Sequence, residues 1–322
     1  MAIKNILKKL LFACLTIFVV LVFNYFLFRI LPGDPLAMVA RNPKATPEMI
    51  EGIRRFYGLD QPWYTQFFLY LRNLFSGDMG NSFTYKAPVT QVIGARILPT
   101  VLLLGVSEIF AIILGVLLGI ISAFQRGTKT DVATLGFSLF TYAMPTFWFG
   151  MIMVTLFCLQ LRLFPTSGMV TPGVRFATMG AYIADVARHM VLPVFTMAIV
   201  MLGDYALTMR NSMTDVLSED YIATVRAKGF GSRYMLRRHA LPNAMLPMIT
   251  IIAINLGVVV GGAVQIETIF SWPGLGLLMY QALKARDYPL LQGIFLIITV
   301  AVIFANFVAD ILYTLVDPRV RY

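Results

Sequence analysis

The sequence predicts an all-α polytopic membrane protein. Of its 322 residues, 58% are hydrophobic and only 13% are charged, and the mean hydropathy is +0.77. An ordinary soluble protein is roughly half apolar and about a quarter charged. The apolar residues also form runs long enough to cross a bilayer. Lipid-exposed segments in such runs must be helical, because unpaired backbone amides are too costly there.

Six runs without Lys or Arg predict six transmembrane helices. They cover residues 10–28, 97–124, 132–161, 190–209, 244–266 and 290–316. About 20 helical residues match a hydrocarbon core of about 30 Å. The first run is longer than the apolar region of a signal peptide and lacks a small-residue cleavage site after it, so we expect it to be retained.

Basic residues in the short loops predict the orientation. Six of them lie between Arg210 and Arg238, and others lie at both termini and in the loop after the second run. Cytoplasmic loops are enriched in Lys and Arg, so we expect both termini in the cytoplasm. The net charge of +10 then reflects orientation, since nucleic-acid binding would need the basic residues clustered on a soluble face.

These spans divide the chain into three segments. Residues 1–31 form an N-terminal transmembrane helix, residues 32–96 form an extracytoplasmic segment with short helices, and residues 97–322 form a five-helix core with a cytoplasmic loop at 210–242. In the outer segment, Thr46-Pro47-Glu48 predicts a helix start, and a second helix fits residues 62–75. Its aromatic residues favour either packing at the membrane interface or a receptor-docking or pore-covering role.

Motifs of ATP-hydrolysing and other hydrolytic enzymes are missing from the sequence. It has no phosphate loop, no His-Glu-x-x-His and no Gly-x-Ser-x-Gly. Its two histidines, His189 and His239, are far apart in the chain. We therefore expect no catalytic residues and no metal site. Three carboxylates do fall within spans, and Glu108, Asp204 and Asp310 favour either proton coupling or polar contacts between helices.

The cytoplasmic stretch 215–242 carries the strongest pattern. Leu217, Tyr221 and Val225 recur every four residues and predict one apolar helical stripe. We expect Gly229 to end that helix and Ser232 to cap a second one. A short stripe with both charge signs nearby favours docking in a protein groove over lying on the membrane surface.

This stretch resembles the EAA loop of ABC importer permeases of the dipeptide, oligopeptide and nickel family. The shared residues are Asp220-Tyr221-Ile222, Arg226-Ala227-Lys228-Gly229 and Leu241-Pro242, with Ala223-Thr224-Val225 where the general loop has Glu-Ala-Ala. Further motifs that look like this family begin at Leu31, Tyr57, Ser76, Glu267, Arg286 and Asp317. Their order resembles the "B" permease of the pair.

The resemblance implies a type I ABC importer permease fold in the bacterial cytoplasmic (inner) membrane. A second homologous permease would complete the pathway, two ATP-binding subunits would hold ATP and Mg²⁺, and an extracytoplasmic binding protein would deliver the substrate. This chain would be no enzyme and would bind no cofactor. Members of the family transport dipeptides, oligopeptides, nickel chelates and other solutes, and we expect peptides here.

The resemblance also assigns candidate site residues. The ATPase-coupling set is Glu219, Asp220, Tyr221, Ile222, Ala223, Val225, Arg226, Ala227, Lys228, Gly229, Leu241 and Pro242. Within it, Tyr221, Ile222 and Val225 would be the apolar contacts, while Arg226 and Lys228 would either pair with acids of the ATPase or stay solvated.

Other residues are candidates for the pathway or for helix packing. They are Glu108, Asp204, Gly257, Gly261, Gly262 and Asp310. Residues 271–276 would form an outer turn, which either carries an interfacial Trp272 or serves as a contact with the binding protein or as a gate. The alternative function, from a different class, is a proton-coupled secondary transporter that uses Glu108, Asp204 and Asp310.

Overall fold

The computed structural model describes residues 2–30, 47, 51–52, 54–55, 60–259 and 264–316. Its helices are α1 Ala2–Ile30, α2 Trp63–Phe75, α3 Val89–Phe124, α4 Lys129–Ala143, α5 Thr146–Met153, α6 Met179–Leu217, α7 Asp220–Ala227, α8 Ser232–Met235, α9 Leu241–Val259, α10 Val264–Ile269, α11 Leu275–Ala285 and α12 Tyr288–Val316. π-Helical segments Val154–Gln160 and Leu236–Ala240 follow α5 and α8. Among these residues, extended pairing is limited to one bridge between Asn81 and Pro88.

Four helices of the described part are long and apolar enough to cross a membrane. They are α1, α3, α6 and α12. A fifth crossing results if α4 and the α5 segment count as one bent span. The predicted span 244–266 overlaps most of α9 and the start of α10, and it includes residues 260–263, which lie outside the described residues. The all-α membrane class is confirmed, while six spans and cytoplasmic termini stay predictions.

The predicted span 132–161 is interrupted by a sharp bend in its middle, which the sequence analysis did not foresee. The helices on either side of Met144 and Pro145 differ in direction by 99°. Met144 is extended, with φ −75° and ψ 124°. A residue before proline is sterically disfavoured in the α region, and proline lacks the N–H that would continue the helix. The sequence therefore contained the cause of the bend.

Helix α6 is the central element and packs closely against α3 and α4. A Cβ on Gly119 of α3 would lie 2.6 Å from Met209 Cβ, and one on Gly203 of α6 would lie 2.5 Å from Ser138 O of α4. Only glycine allows backbones to approach this closely. With 39 residues, α6 is also much longer than the 20-residue span predicted, and it extends into the cytoplasmic loop region.

The predicted outer helix 62–75 is confirmed as α2, and it packs on α1. The Tyr25 and Phe67 rings lie 5.1 Å apart, and the Tyr25 hydroxyl donates to Trp63 O at 2.8 Å. Trp63 and Phe68 are exposed. The helix start predicted at Thr46-Pro47-Glu48 lies outside the described residues, apart from Pro47.

The outer turn at residues 271–276 is deeply packed, so the expectation of an interfacial Trp272 is wrong. Trp272 is fully buried, and its indole Nε1 donates to Pro99 O at 2.9 Å. The carboxylate of Glu267, equally buried, accepts from Thr100 Oγ1 at 2.8 Å and from Leu277 N at 2.9 Å. The turn is held by partners far away in the chain, which no local pattern reveals.

Candidate coupling site

The loop that is predicted to be cytoplasmic folds into the two short helices that its pattern predicts. Helix α7 begins at Asp220, shortly after α6 ends at Leu217, and Gly229 follows it. The backbone of Gly229 has φ +78°, and its N–H donates to Arg226 O at 2.9 Å. A left-handed glycine of this kind closes a helix and turns the chain.

Two details of the predicted helix pair are wrong. Leu217 is the last residue of α6 and therefore does not belong to the stripe of α7. Ser232 is the first residue of α8; the capping position is Gly231, and no side chain caps the helix. A capping serine has to precede the first helical residue. The helix therefore begins one residue earlier than predicted.

The buried side of α7 is formed by Ile222 and Val225, which were expected to contact a partner. Ile222 is 0% exposed and Val225 is 8% exposed. Both pack in one cluster with Met235, Ala240 and Ala244. That expectation is corrected: these two side chains fix α7 to the rest of this chain and have no surface left for another protein.

Aromatic side chains form the accessible apolar surface of the loop. The rings of Phe230 and Tyr234 stack at 4.7 Å, and each side chain is nearly half exposed. Tyr221 of α7 is also exposed, and Asn243 Nδ2 donates to its hydroxyl at 2.9 Å. The sequence interpretation missed Phe230 and Tyr234, although two aromatic residues four apart in a basic stretch were a signal for them.

The remaining residues of the coupling set divide by exposure. Exposed ones are Glu219, Asp220, Ala223, Arg226, Ala227, Lys228 and Pro242, and Leu241 is partly buried at the start of α9. The Arg226 guanidinium contacts Met235 Sδ at 3.4 Å. The exposed surface of the loop therefore combines both charge signs with an aromatic pair.

The intramembrane acids lie in different surroundings. Glu108 of α3 is 1% exposed and accepts a hydrogen bond from the Tyr205 hydroxyl of α6. Asn255 of α9 donates to that hydroxyl at 2.9 Å. Asp204 is partly buried. These bonds join helices α3, α6 and α9, which is what helix packing requires; a pathway role stays a prediction.

Four pathway candidates cannot be placed in the same detail. Gly257 lies in α9 and Asp310 in α12, with side-chain surroundings outside the described part of the chain. Gly261 and Gly262 lie outside the described residues altogether. Among the residues that are described, no cluster of three or more His, Cys, Asp or Glu could hold a metal ion.

Comparison with known proteins assigns the family. Residues 115–322 match the family "Binding-protein-dependent transport system inner membrane component", and residues 2–104 match the N-terminal family of the same transport systems. The glutathione transport permease GsiC of Escherichia coli K12 is 35% identical over 317 residues, which is 98% of each chain. The oligopeptide permease AppB of Bacillus subtilis 168 is 37% identical over 302 residues, which is 94% of each chain.

A solved structure supports the fold. The inward-facing MetNI methionine ABC transporter matches with a TM-score of 0.57 at 15% identity, over 71% of this chain and 97% of that one. Together with the apolar helices, these matches locate the chain in the bacterial cytoplasmic membrane. The protein belongs to the peptide/oligopeptide family of ABC importer permeases, the multi-pass inner-membrane components of binding-protein-dependent transport systems.

Proposed function

We propose that this chain forms half of the pathway of an ATP-driven peptide importer and is coupled to a separate ATPase subunit through α7 and α8. The observation that carries the proposal is that this helix pair is buried on one side and exposed on the other. One side, with Ile222 and Val225, is fixed in this chain, while the other exposes Phe230 and Tyr234. A surface of that kind suits a groove on a partner.

The buried side gives the helix pair a firm connection to the membrane helices. Met213 near the end of α6 and Met248 of α9 are both fully buried in the cluster that holds Ile222. Ser212 Oγ of α6 also donates to Ala244 O of α9 at 2.8 Å. A partner that moves the exposed side would therefore displace the ends of α6 and α9, because packed helices transmit displacement as rigid elements.

The proposed substrates are short peptides, including glutathione. The names of two relatives specify glutathione and oligopeptide transport. The proposed partners follow from the family: a second permease, two ATP-binding subunits that carry ATP and Mg²⁺, and an extracytoplasmic binding protein. The proton-coupled alternative belongs to a different class of transporter from the family that the comparisons assign.

Reconstitution of the full complex in liposomes tests this function. With ATP inside, labelled peptide should accumulate, and Phe230→Ala with Tyr234→Ala should reduce uptake about tenfold, as loss of an aromatic interface anchor commonly does. Phe75→Ala is the matched control, because Phe75 is 81% exposed on α2, far from the loop in sequence.

Two results would contradict the proposal. One is normal uptake and normal co-purification of the ATPase subunits by the double aromatic variant. The other is accumulation by this chain alone under a proton gradient, without ATPase subunits, which would favour the secondary transporter.

A further inference from the structure

A buried ion pair joins three helices just above the coupling loop. Arg210 of α6 donates to both carboxylate oxygens of Asp131 in α4, from Nε at 2.8 Å and from Nη2 at 2.9 Å. The side chains are 17% and 6% exposed. This two-bond geometry fixes the relative orientation of its partners far better than a single contact does.

The same carboxylate also binds the end of α3. Ser122 Oγ of α3 donates to Asp131 Oδ1 at 2.5 Å, and Gly127 N in the following turn donates to Oδ2 at 2.9 Å. Arg210 Nε additionally contacts Ser122 Oγ at 3.1 Å. Both carboxylate oxygens of Asp131 therefore accept hydrogen bonds from α3, from the turn after it and from α6. A role as a helix cap alone would not require partners on three elements.

The position of this cluster links it to the coupling site. Arg210 lies two turns before the end of α6 at Leu217, and α7 begins three residues later. Between them, Met213 is buried in the same cluster as Ile222 of α7. Deeper in the membrane, the close approach at Gly119 and Gly203 holds α6 against α3 and α4.

We propose that the Asp131–Arg210 pair, with Ser122, is the joint through which movement of the coupling loop reaches α3 and α4. It makes the cytoplasmic ends of α3, α4 and α6 move as one body up to the bend at Met144-Pro145. Asp131 and Arg210 are thus positioning residues for transport. This inference rests on the proposed function, because it needs an ATPase that moves α7.

Coupling measurements in the reconstituted complex test the joint. Asp131→Asn keeps the shape of the side chain but removes its charge and one acceptor, so uptake per ATP hydrolysed should fall about tenfold, within the usual range of coupling between sites. Arg210→Lys keeps the positive charge but loses the planar guanidinium that donates two hydrogen bonds. Uptake per ATP should therefore fall less in Arg210→Lys than in Asp131→Asn. Asp185→Asn, at the other end of α6, is the matched control, because the Asp185 carboxylate accepts its hydrogen bonds from Thr171 in the preceding loop.

Distance measurements keep the test independent of the variants' stability. Spin labels on Val132→Cys in α4 and Asp215→Cys in α6, with Cys14 and Cys158 replaced by Ser, report the separation of the two helix ends. In the otherwise unmodified chain this distance should be the same with and without ATP, and in Asp131→Asn it should change with ATP. A distance that changes with ATP in the unmodified chain, or an unchanged coupling ratio in a folded Asp131→Asn complex, would overturn the joint. Absence of ATP-driven uptake by the unmodified complex would instead contradict the proposed function.

Discussion

The turn region around residues 267–287 and the coupling helix α7 use their polar groups in opposite ways. In the turn region, Glu267 and Asp287 are fully buried and bound by hydroxyl and backbone N–H groups, as when Ser82 Oγ donates to Asp287 at 2.5 Å. At the end of α7, Arg226 and Lys228 stay exposed. Motif residues of one family thus serve internal structure in one region and an external surface in another.

The consequence is a difference in tolerance to substitution. Burial in the turn region means that a change there removes packing and hydrogen bonds, so it should lower stability first. Exposure of α7 and the turn after it means that a change there should alter coupling while the chain stays folded. Three substitutions test this contrast.

Trp272→Ala should cause the largest loss of stability. It empties a fully buried site and removes the bond from Nε1 to Pro99 O, and large-to-small core changes of this kind cost about 3–5 kcal/mol. Thermal unfolding in detergent should show a clear fall in Tm. Trp148→Ala is the control, because Trp148 is 46% exposed and should cost much less. Equal effects of the two would contradict the burial of the outer turn.

Gly229→Val should affect coupling more than stability. The φ of +78° at Gly229 costs an L-residue about 1–2 kcal/mol. Nothing lies within 4 Å of an added Cβ, so the substitution introduces backbone strain without a steric clash. Uptake per ATP should fall while the chain still inserts. Gly231→Val is the matched control, since Gly231 has φ −66° and equally open space. If both variants transport alike, the left-handed turn at Gly229 has no role in coupling.

Glu267→Gln should have the smallest effect, and one that depends on pH. Burial raises the pKa of the Glu267 carboxyl above its ordinary value of 4.5. The folded chain therefore binds this proton more tightly than the unfolded chain, so its contribution to stability is complete below about pH 4.5 and declines as pH rises towards the folded pKa. The uncharged Glu267→Gln variant should lose this part of the pH dependence. Parallel Tm-against-pH curves for the two proteins would show that the carboxyl is not the cause.

The elements that the sequence predicted are those with a local cause. Residues 62–75 begin at a proline and end before Ser76-Gly77, and α2 has those limits within one residue. Gly229 ends α7 because glycine adopts its left-handed backbone angles without a steric penalty. The long apolar runs likewise required helices whatever their neighbours, because the bilayer offers no other hydrogen-bond partners.

Errors arose where a distant partner decided the outcome. Ile222 and Val225 have the spacing of a docking stripe, and only the position of α9 shows that the stripe faces this chain. Trp272 follows an apolar run, as interfacial tryptophans do, and only the carbonyl of Pro99 explains its burial. The bend at Pro145 is an exception, because its cause is local. The prediction missed it because the apolar run continues through the proline.

By itself, then, the sequence determined an all-α membrane protein, a cytoplasmic loop of two short helices and a resemblance to ABC importer permeases. Those features depend on hydropathy and on backbone preferences of single residues. The tertiary structure alone decided which side of α7 is accessible, how the outer turn is held and that Asp131 meets Arg210 across 79 residues. Such contacts depend on how helices pack, and the spacing of residues along the chain does not fix that arrangement.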